Sequence, residues 1–129
     1  MKRSKEDYIR YRFERAIQTL EDAKYLADSE RWNSVVNRLY YACFYAVLAL
    51  FSKKEISSHT HSGVRTQLSM HFVKEGLIDK EHALLYGDLF DLRQKGDYSD
   101  FIEFDEVYVR ALIPKTEDFL KAVESLLND

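Results

Sequence analysis

The residues best suited to chemistry in this chain are Leu92-Arg93-Gln94-Lys95-Gly96-Asp97-Tyr98. An arginine there is followed by a glycine that can turn the chain, then by an aspartate and a tyrosine. A guanidinium presents forked donors that match phosphate. A tyrosine can stack on a base or donate a hydrogen bond. The same groups also make a staple, with Arg93 paired to Asp97 and Tyr98 packed over them. On residue types alone the phosphate clamp and the staple stand equal. A second polar pair, Asn37 and Arg38, interrupts the most apolar run of the chain. Helical spacing puts Asn37 on a stripe with Tyr41, Phe44, Tyr45 and Leu48, and puts Arg38 beside Tyr41, Ala42 and Tyr45. The pair either marks where a helix leaves the core for water or lines a cleft or subunit interface.

Four histidines are the other candidates. His59 and His61 fall in a polar loop after the core helix, Ser57 to Gly63, and His71 and His82 fall on later helices. A metal site needs about three such groups converging with a carboxylate, and this spacing does not force that. Nine carboxylates lie between Asp79 and Glu106, but no pair is spaced as an acid and a base. A glycine-rich phosphate loop, a nucleophile elbow and a Cys-x-x-Cys pair are all missing. The reading therefore includes no metal and no cofactor.

These residues need a scaffold, and the sequence supplies a helical one. Thirteen apolar residues follow Arg38 without a break, from Leu39 to Phe51, too long for an ordinary strand of about four to eight residues. A helix apolar on nearly every face is a membrane span or the centre of a bundle. A span needs about 20 apolar residues, so this run predicts a core helix, ending near Ser52-Lys53-Lys54. Asn33 or Ser34 is the expected cap at its start.

The first helix is predicted from a Ser4 cap, with Asp7 at the capping-box position, to about Ser29. Its inner face reads Ile9, Phe13, Ala16, Ile17, Leu20, Ala23 and Ala27. Lys2 to Arg15 holds six basic and three acidic residues, a stretch that could touch phosphate but reads first as a solvated helix face. The Ser29–Asn33 link is short, which makes the first two helices antiparallel neighbours. A third helix spans about Ser62 to Glu75, with Val64, Leu68, Phe72 and Val73 inward and Gly76 ending it. A fourth starts at an Asp79 cap, carries Ala83, Leu84, Tyr86, Leu89, Phe90 and Leu92, and ends at Gly96, leaving Asp97 to Phe101 as loop. A fifth runs from Glu106, capped by Asp105, to about Leu127. Its inner residues are Val107, Ala111, Leu112, Phe119, Val123, Leu126 and Leu127, and Pro114 should kink it or split it.

A chain of 129 residues, 46% hydrophobic and 14% aromatic, has the makings of one packed domain spanning residues 1–129. Four glycines and one proline favour long helices over many strands. A net charge of −3 argues against a diffuse basic surface for nucleic acid or membrane. Cys43, alone and inside the core helix, reads as a small hydrophobe. No apolar signal region follows the charged N-terminus, so a cytoplasmic protein without membrane attachment is expected.

Asn37-Arg38-Leu39-Tyr40-Tyr41-Ala42-Cys43-Phe44-Tyr45-Ala46 resembles the core-helix signature of HEPN domains, the "higher eukaryotes and prokaryotes nucleotide-binding" family. His61-Ser62-Gly63, then Phe72-Val73-Lys74-Glu75-Gly76, then the Leu92–Tyr98 stretch are similar to later blocks of its small prokaryotic branch. The likeness covers about residue 10 to about residue 127. It implies an all-α, up-and-down bundle of about five helices, working as a homodimer. It also implies a toxin-like member of a two-component system with a nucleotidyltransferase-type partner, binding nucleotide or RNA. Many such domains are metal-independent ribonucleases, whose motif is Arg, about four to six residues, then His, with two copies meeting across the dimer. The Arg holds the scissile phosphate and the His helps the 2′-hydroxyl attack.

Arg93 matches that Arg, but no histidine follows His82, and Tyr98 stands where the His belongs. Tyrosine, with a pKa near about 10, is a poor base at neutral pH. His61 or His71 would have to serve from elsewhere in the fold. The resemblance thus implies Arg93 and Tyr98 as the site, with Asp97, Asn37, Arg38 and His61 as binding residues. By analogy with the family, Tyr98 is also a hydroxyl that a nucleotidyltransferase could modify. Two other readings stay open beside nucleotide or RNA binding: a ribonuclease, and a non-catalytic dimer that contacts a partner protein.

Overall fold

A computed structural model describes residues 3–129. Lys2, counted in the basic N-terminal stretch, lies outside the described residues. Five α-helices follow one another: α1 (Lys5–Asp28), α2 (Trp32–Lys54), α3 (His61–Leu68), α4 (Lys80–Tyr98) and α5 (Glu106–Leu127). No strand occurs among the described residues. The expected all-α bundle is what forms.

The centre is α2. Val35, Val36, Leu39, Tyr40, Ala42, Cys43, Ala46, Val47, Ala49 and Leu50 lose all solvent contact, so the apolar run is core on several faces. Each large side chain buried this way stabilises the fold by roughly 1.5–3 kcal/mol. The helix has the length and hydropathy of a bilayer span, yet most of it is covered by the bundle. Alanines at 16, 23 and 27 of α1 are also buried and let α1 pack closely against it. Burial pushes the Cys43 thiol up, which keeps it in its unreactive protonated form.

Ser4 and Asp7 close the expected capping box on α1. The link to α2 differs from expectation. Neither Asn33 nor Ser34 caps α2, which starts at Trp32 after an Arg31 cap that makes no side-chain bond. The reason lies one residue earlier. Glu30 adopts φ 57°, and the Glu30 and Arg31 amides bond back to the Ala27 and Leu26 carbonyls at 3.0 Å each. That Schellman turn ends α1 so tightly that α2 begins at once.

Further corrections concern helix ends. α3 starts close to the expected position, at His61, and Thr60 caps it by accepting from the Gly63 amide. The third helix does not continue as α to Glu75: it loosens into a π-turn at Ser69–Val73 before Gly76, at φ 73°, stops the chain. Gly96 does not end α4. The helix continues to Tyr98, so Asp97 and Tyr98 are helical and only residues 99–105 form the connection. A Cβ at position 96 would meet the Phe104 ring at 3.2 Å, so this glycine makes room for a returning ring and not for a turn. Asp79 precedes α4 as expected but makes no side-chain cap. Pro114 does not split α5, which is one helix from Glu106 to Leu127.

Three residues expected to face inward do not: Ile17, Val107 and Ala111 are exposed. Thr19, Leu85, Val109, Thr116 and Leu120 take the buried positions instead. Thr116 is tolerated there because its hydroxyl donates back to the Leu112 carbonyl at 2.8 Å.

Candidate phosphate cleft around Arg93

Arg93 is held by the last turns of α4 against α2. It is only 6% exposed, unusual for an arginine. Its guanidinium carbon lies 4.8 Å from the Tyr40 ring centroid and 5.7 Å from that of Tyr41. One terminal nitrogen donates to Asp97 Oδ2 at 3.2 Å, one helical turn on. Its Nε is buried and has no partner. A buried donor left unmade costs about 1–3 kcal/mol, so the group sits at a penalty unless something else accepts from it.

A cleft of about 370 Å³ opens between the start of α2 and the end of α4. Its polar lining is Asn33, Ser34, Asn37, Arg38, Arg93 and Asp97, with Leu26, Val36, Leu92 and Gly96 between them. Asn37 and Arg38 thus share one cleft with Arg93, and neither simply marks a helix leaving the core. Arg38 donates Nε and Nη2 to Asn37 Oδ1, at 3.0 and 2.8 Å, which fixes its fork. It also covers the Tyr41 ring at 5.2 Å. Asn33 Nδ2 donates to the Ile102 carbonyl and ties the rim to the connection after α4. Two guanidiniums and two amides, beside one aspartate, give the cleft the kind of hydrogen-bond donors that suit an anion.

Tyr98 stands apart. It is 79% exposed, ends α4 and does not line the cleft. The staple envisaged with Tyr98 packed over the Arg93–Asp97 pair does not form, although the pair does, within one helix.

His61 and His71 separate clearly. His71 is exposed on the π-turn and bonds to Gln67 Oε1 at 2.8 Å. His61 is not in the loop as expected but is the first residue of α3; it lies 2.8 Å through Nδ1 from the Tyr40 hydroxyl, and its ring sits 4.6 Å from that of Phe44. Burial, and then the charge of Arg93, hold His61 below its ordinary pKa. Tyr40 therefore has Arg93 over its ring and His61 on its hydroxyl. Burial pushes that hydroxyl up to about 12, and the Tyr86 hydroxyl and Arg93 offset this only in part. Neutral His61 has two tautomers. When Nδ1–H donates to Tyr40, Nε2 is bare and can accept a proton.

Tyr40 reads in the sequence only as a core aromatic and Tyr41 as a neighbour of Asn37 and Arg38, yet the two connect the cleft to the histidine. The signal was their spacing from Asn37, three and four residues on. Ser34 and Asn33 read as caps and instead line the cleft. Among the described residues, no three His, Cys, Asp or Glu side chains gather in a metal-binding arrangement.

Comparison with known proteins follows the same lines. The family model described as HEPN domain matches residues 9–126. A UPF0332 protein of Thermotoga maritima is 45% identical over 125 residues, covering 97% of this chain and 95% of the relative. A protein of Methanocaldococcus jannaschii named as a "putative toxin" is 33% identical over 114 residues, covering 88% and 78%. A second protein so named from that organism is 28% identical, covering 88% and 84%.

Proposed function

The chain belongs to the HEPN domain family, and from that premise we propose that it is a toxin-like HEPN protein whose Arg93 cleft holds the phosphate of a nucleotide or of RNA. The observation that carries this is Arg93 itself: a largely buried, cleft-lining cation beside a second fork, Arg38. The relatives named as putative toxins support the toxin-like role. The reading includes a homodimer and a nucleotidyltransferase-type partner, for which Tyr98 is an accessible hydroxyl at the cleft end of α4. Co-expression with the product of a neighbouring nucleotidyltransferase gene should give a complex that co-purifies. Separate elution of the two proteins would remove the partner from the reading.

The test of the cleft is thermal. A ligand that binds only the folded state raises its stability by RT ln(1 + [L]/Kd). Millimolar nucleoside monophosphate should raise Tm in the wild type and leave Arg93→Met unmoved. A wild-type Tm that stays flat across the nucleotides rejects the cleft.

A second reading, metal-independent RNA cleavage, is favoured by His61. Arg93 would hold the phosphate while His61 Nε2 takes the 2′-hydroxyl proton, a role that needs a neutral imidazole. Incubation with total RNA in excess chelator tests it. Cleavage by the wild type that is lost in both Arg93→Met and His61→Gln supports the reading, and RNA left intact by the wild type rejects it.

A further inference from the structure

Leading away from the cleft along α2 is a row in which cations and aromatic rings alternate. Tyr41 lies under Arg38 and Arg93. Its ring centroid is 5.9 Å from that of Tyr45. Arg15 of α1 crosses over the Tyr45 ring at 4.5 Å and donates to its hydroxyl at 2.8 Å. One turn earlier on α1, Arg12 covers Tyr8 at 5.8 Å and bonds to Ser52 near the end of α2. From Arg38 to Ser52 the row follows about 20 Å of helix axis, far longer than one nucleotide needs.

The charges on this row are not balanced locally. Arg10, Arg65 and Arg110 each meet a carboxylate, at 3.7, 3.3 and 3.1 Å. Arg12, Arg15 and Arg38 meet none among the described residues, although the chain has 22 acidic residues against 19 Lys and Arg. Three uncompensated arginines on one face of an acidic protein call for an anionic partner. A second copy docked there about a two-fold axis would bring like charges together, which is unfavourable. A nucleic acid strand brings phosphates for the forks. Its bases bring flat faces for the tyrosines and the guanidinium planes.

We propose that the row formed by Arg12, Arg15, Tyr45 and Tyr41 is a track for single-stranded RNA that leads the strand into the Arg93 cleft. The proposal rests on the phosphate reading of that cleft, and the two can fail separately. The strand is bound through backbone charge and base stacking, so little sequence preference is expected.

The experiment is fluorescence anisotropy with labelled oligouridylates of increasing length, beside thermal shifts with uridine monophosphate. Affinity should rise with length in the wild type. An Arg12→Gln/Arg15→Gln variant should lose that rise and reduce the salt slope by about 1.4, for two phosphate contacts of roughly 0.7 each. Tyr45→Leu should weaken binding roughly tenfold and leave the slope unchanged. Circular dichroism melts establish folding. If the double variant is unfolded, Arg15→Lys, which keeps the charge and loses the fork, and Tyr45→Leu carry the test. Wild-type affinity indifferent to length, or variants that bind as the wild type does, would overturn the track. So would variants that change sedimentation and not RNA affinity, because the face would then be a contact between copies. A monophosphate shift that depends on Arg93 but accompanies length-independent affinity leaves the cleft standing and removes the track. Length-dependent binding through Arg12 and Arg15 without any monophosphate shift does the reverse.

Discussion

The guanidinium of Arg93 lies over the ring of Tyr40, 4.8 Å from its centroid, and the hydroxyl of that tyrosine is 2.8 Å from His61 Nδ1. A cation from α4 and an imidazole from α3 are thereby joined through one buried side chain of α2. The arrangement is costly. The cation is removed from water and keeps only the part-exposed Asp97 carboxylate as counter-charge.

That cost makes the first prediction. Removing one partner of an ion pair is costly where the other is left buried and charged, and much less so where the remaining charge reaches water. Arg93→Met should therefore keep or raise Tm, because Asp97 remains solvated and the unpartnered Nε disappears. The same variant should lose the nucleotide-induced rise in Tm. Stability retained with binding lost is the signature of a residue kept for function. A loss of more than about 2 kcal/mol in urea would show instead that Arg93 is a structural staple.

His61 gives the second. Its folded-state pKa lies below the ordinary 6.5. The unfolded chain therefore takes up the proton first as pH falls. Stability is full above about pH 6.5 and declines as pH drops toward the folded-state value. Tm measured from pH 8 to pH 5 should fall at the acid end, and His61→Gln should flatten that part of the profile. An unchanged acid limb in the variant would mean that other groups cause it.

The helices were legible because their signals are local. The apolar run fixed α2, Ser4 with Asp7 fixed the start of α1, and Gly76 fixed the stop after the π-turn. What failed were positions whose meaning is set by distant residues. Gly96 has the look of a helix stop, but its hydrogen atom in place of a side chain accommodates Phe104, eight residues on. Glu30 and Glu55 end helices at φ 57° and 58° with no glycine to announce it. For the site, Arg93, Asp97, Asn37 and Arg38 were readable as types. The burial of Arg93 was not, because charged side chains are ordinarily exposed. Nor was the meeting of His61 with Tyr40, which depends on the path of the chain between α2 and α3.

Those helix ends carry a third prediction of two opposite signs. Gly76, Glu30 and Glu55 all occupy the left-handed position of a Schellman turn. A non-glycine residue there costs roughly 1–2 kcal/mol, partly offset by the flexibility glycine adds to the unfolded chain. Glu30→Gly and Glu55→Gly should each raise stability by about 0.5–1 kcal/mol. Gly76→Ala should lower it by about 1 kcal/mol, although a Cβ there meets nothing within 4 Å. Urea denaturation of the three variants checks this. Equal effects of one sign would show that side-chain contacts, not backbone strain, control these turns.

Pro114 supplies the last. It lies inside α5 on an exposed position, so its ring adds little to the core. Having no N–H, it leaves the Arg110 carbonyl without its helical donor, and its ring crowds that carbonyl. In a helix interior proline is about 3 kcal/mol worse than alanine. Two things reduce this here: water reaches the freed carbonyl on the exposed face, and proline stiffens the unfolded chain. Pro114→Ala should still raise stability by about 1–2 kcal/mol, near 4 °C or more in Tm for a chain of this size. A Tm that falls in this variant would mean that α5 requires the backbone geometry proline sets at this position, and that the burial of Phe119, Leu120 and Val123 depends on it.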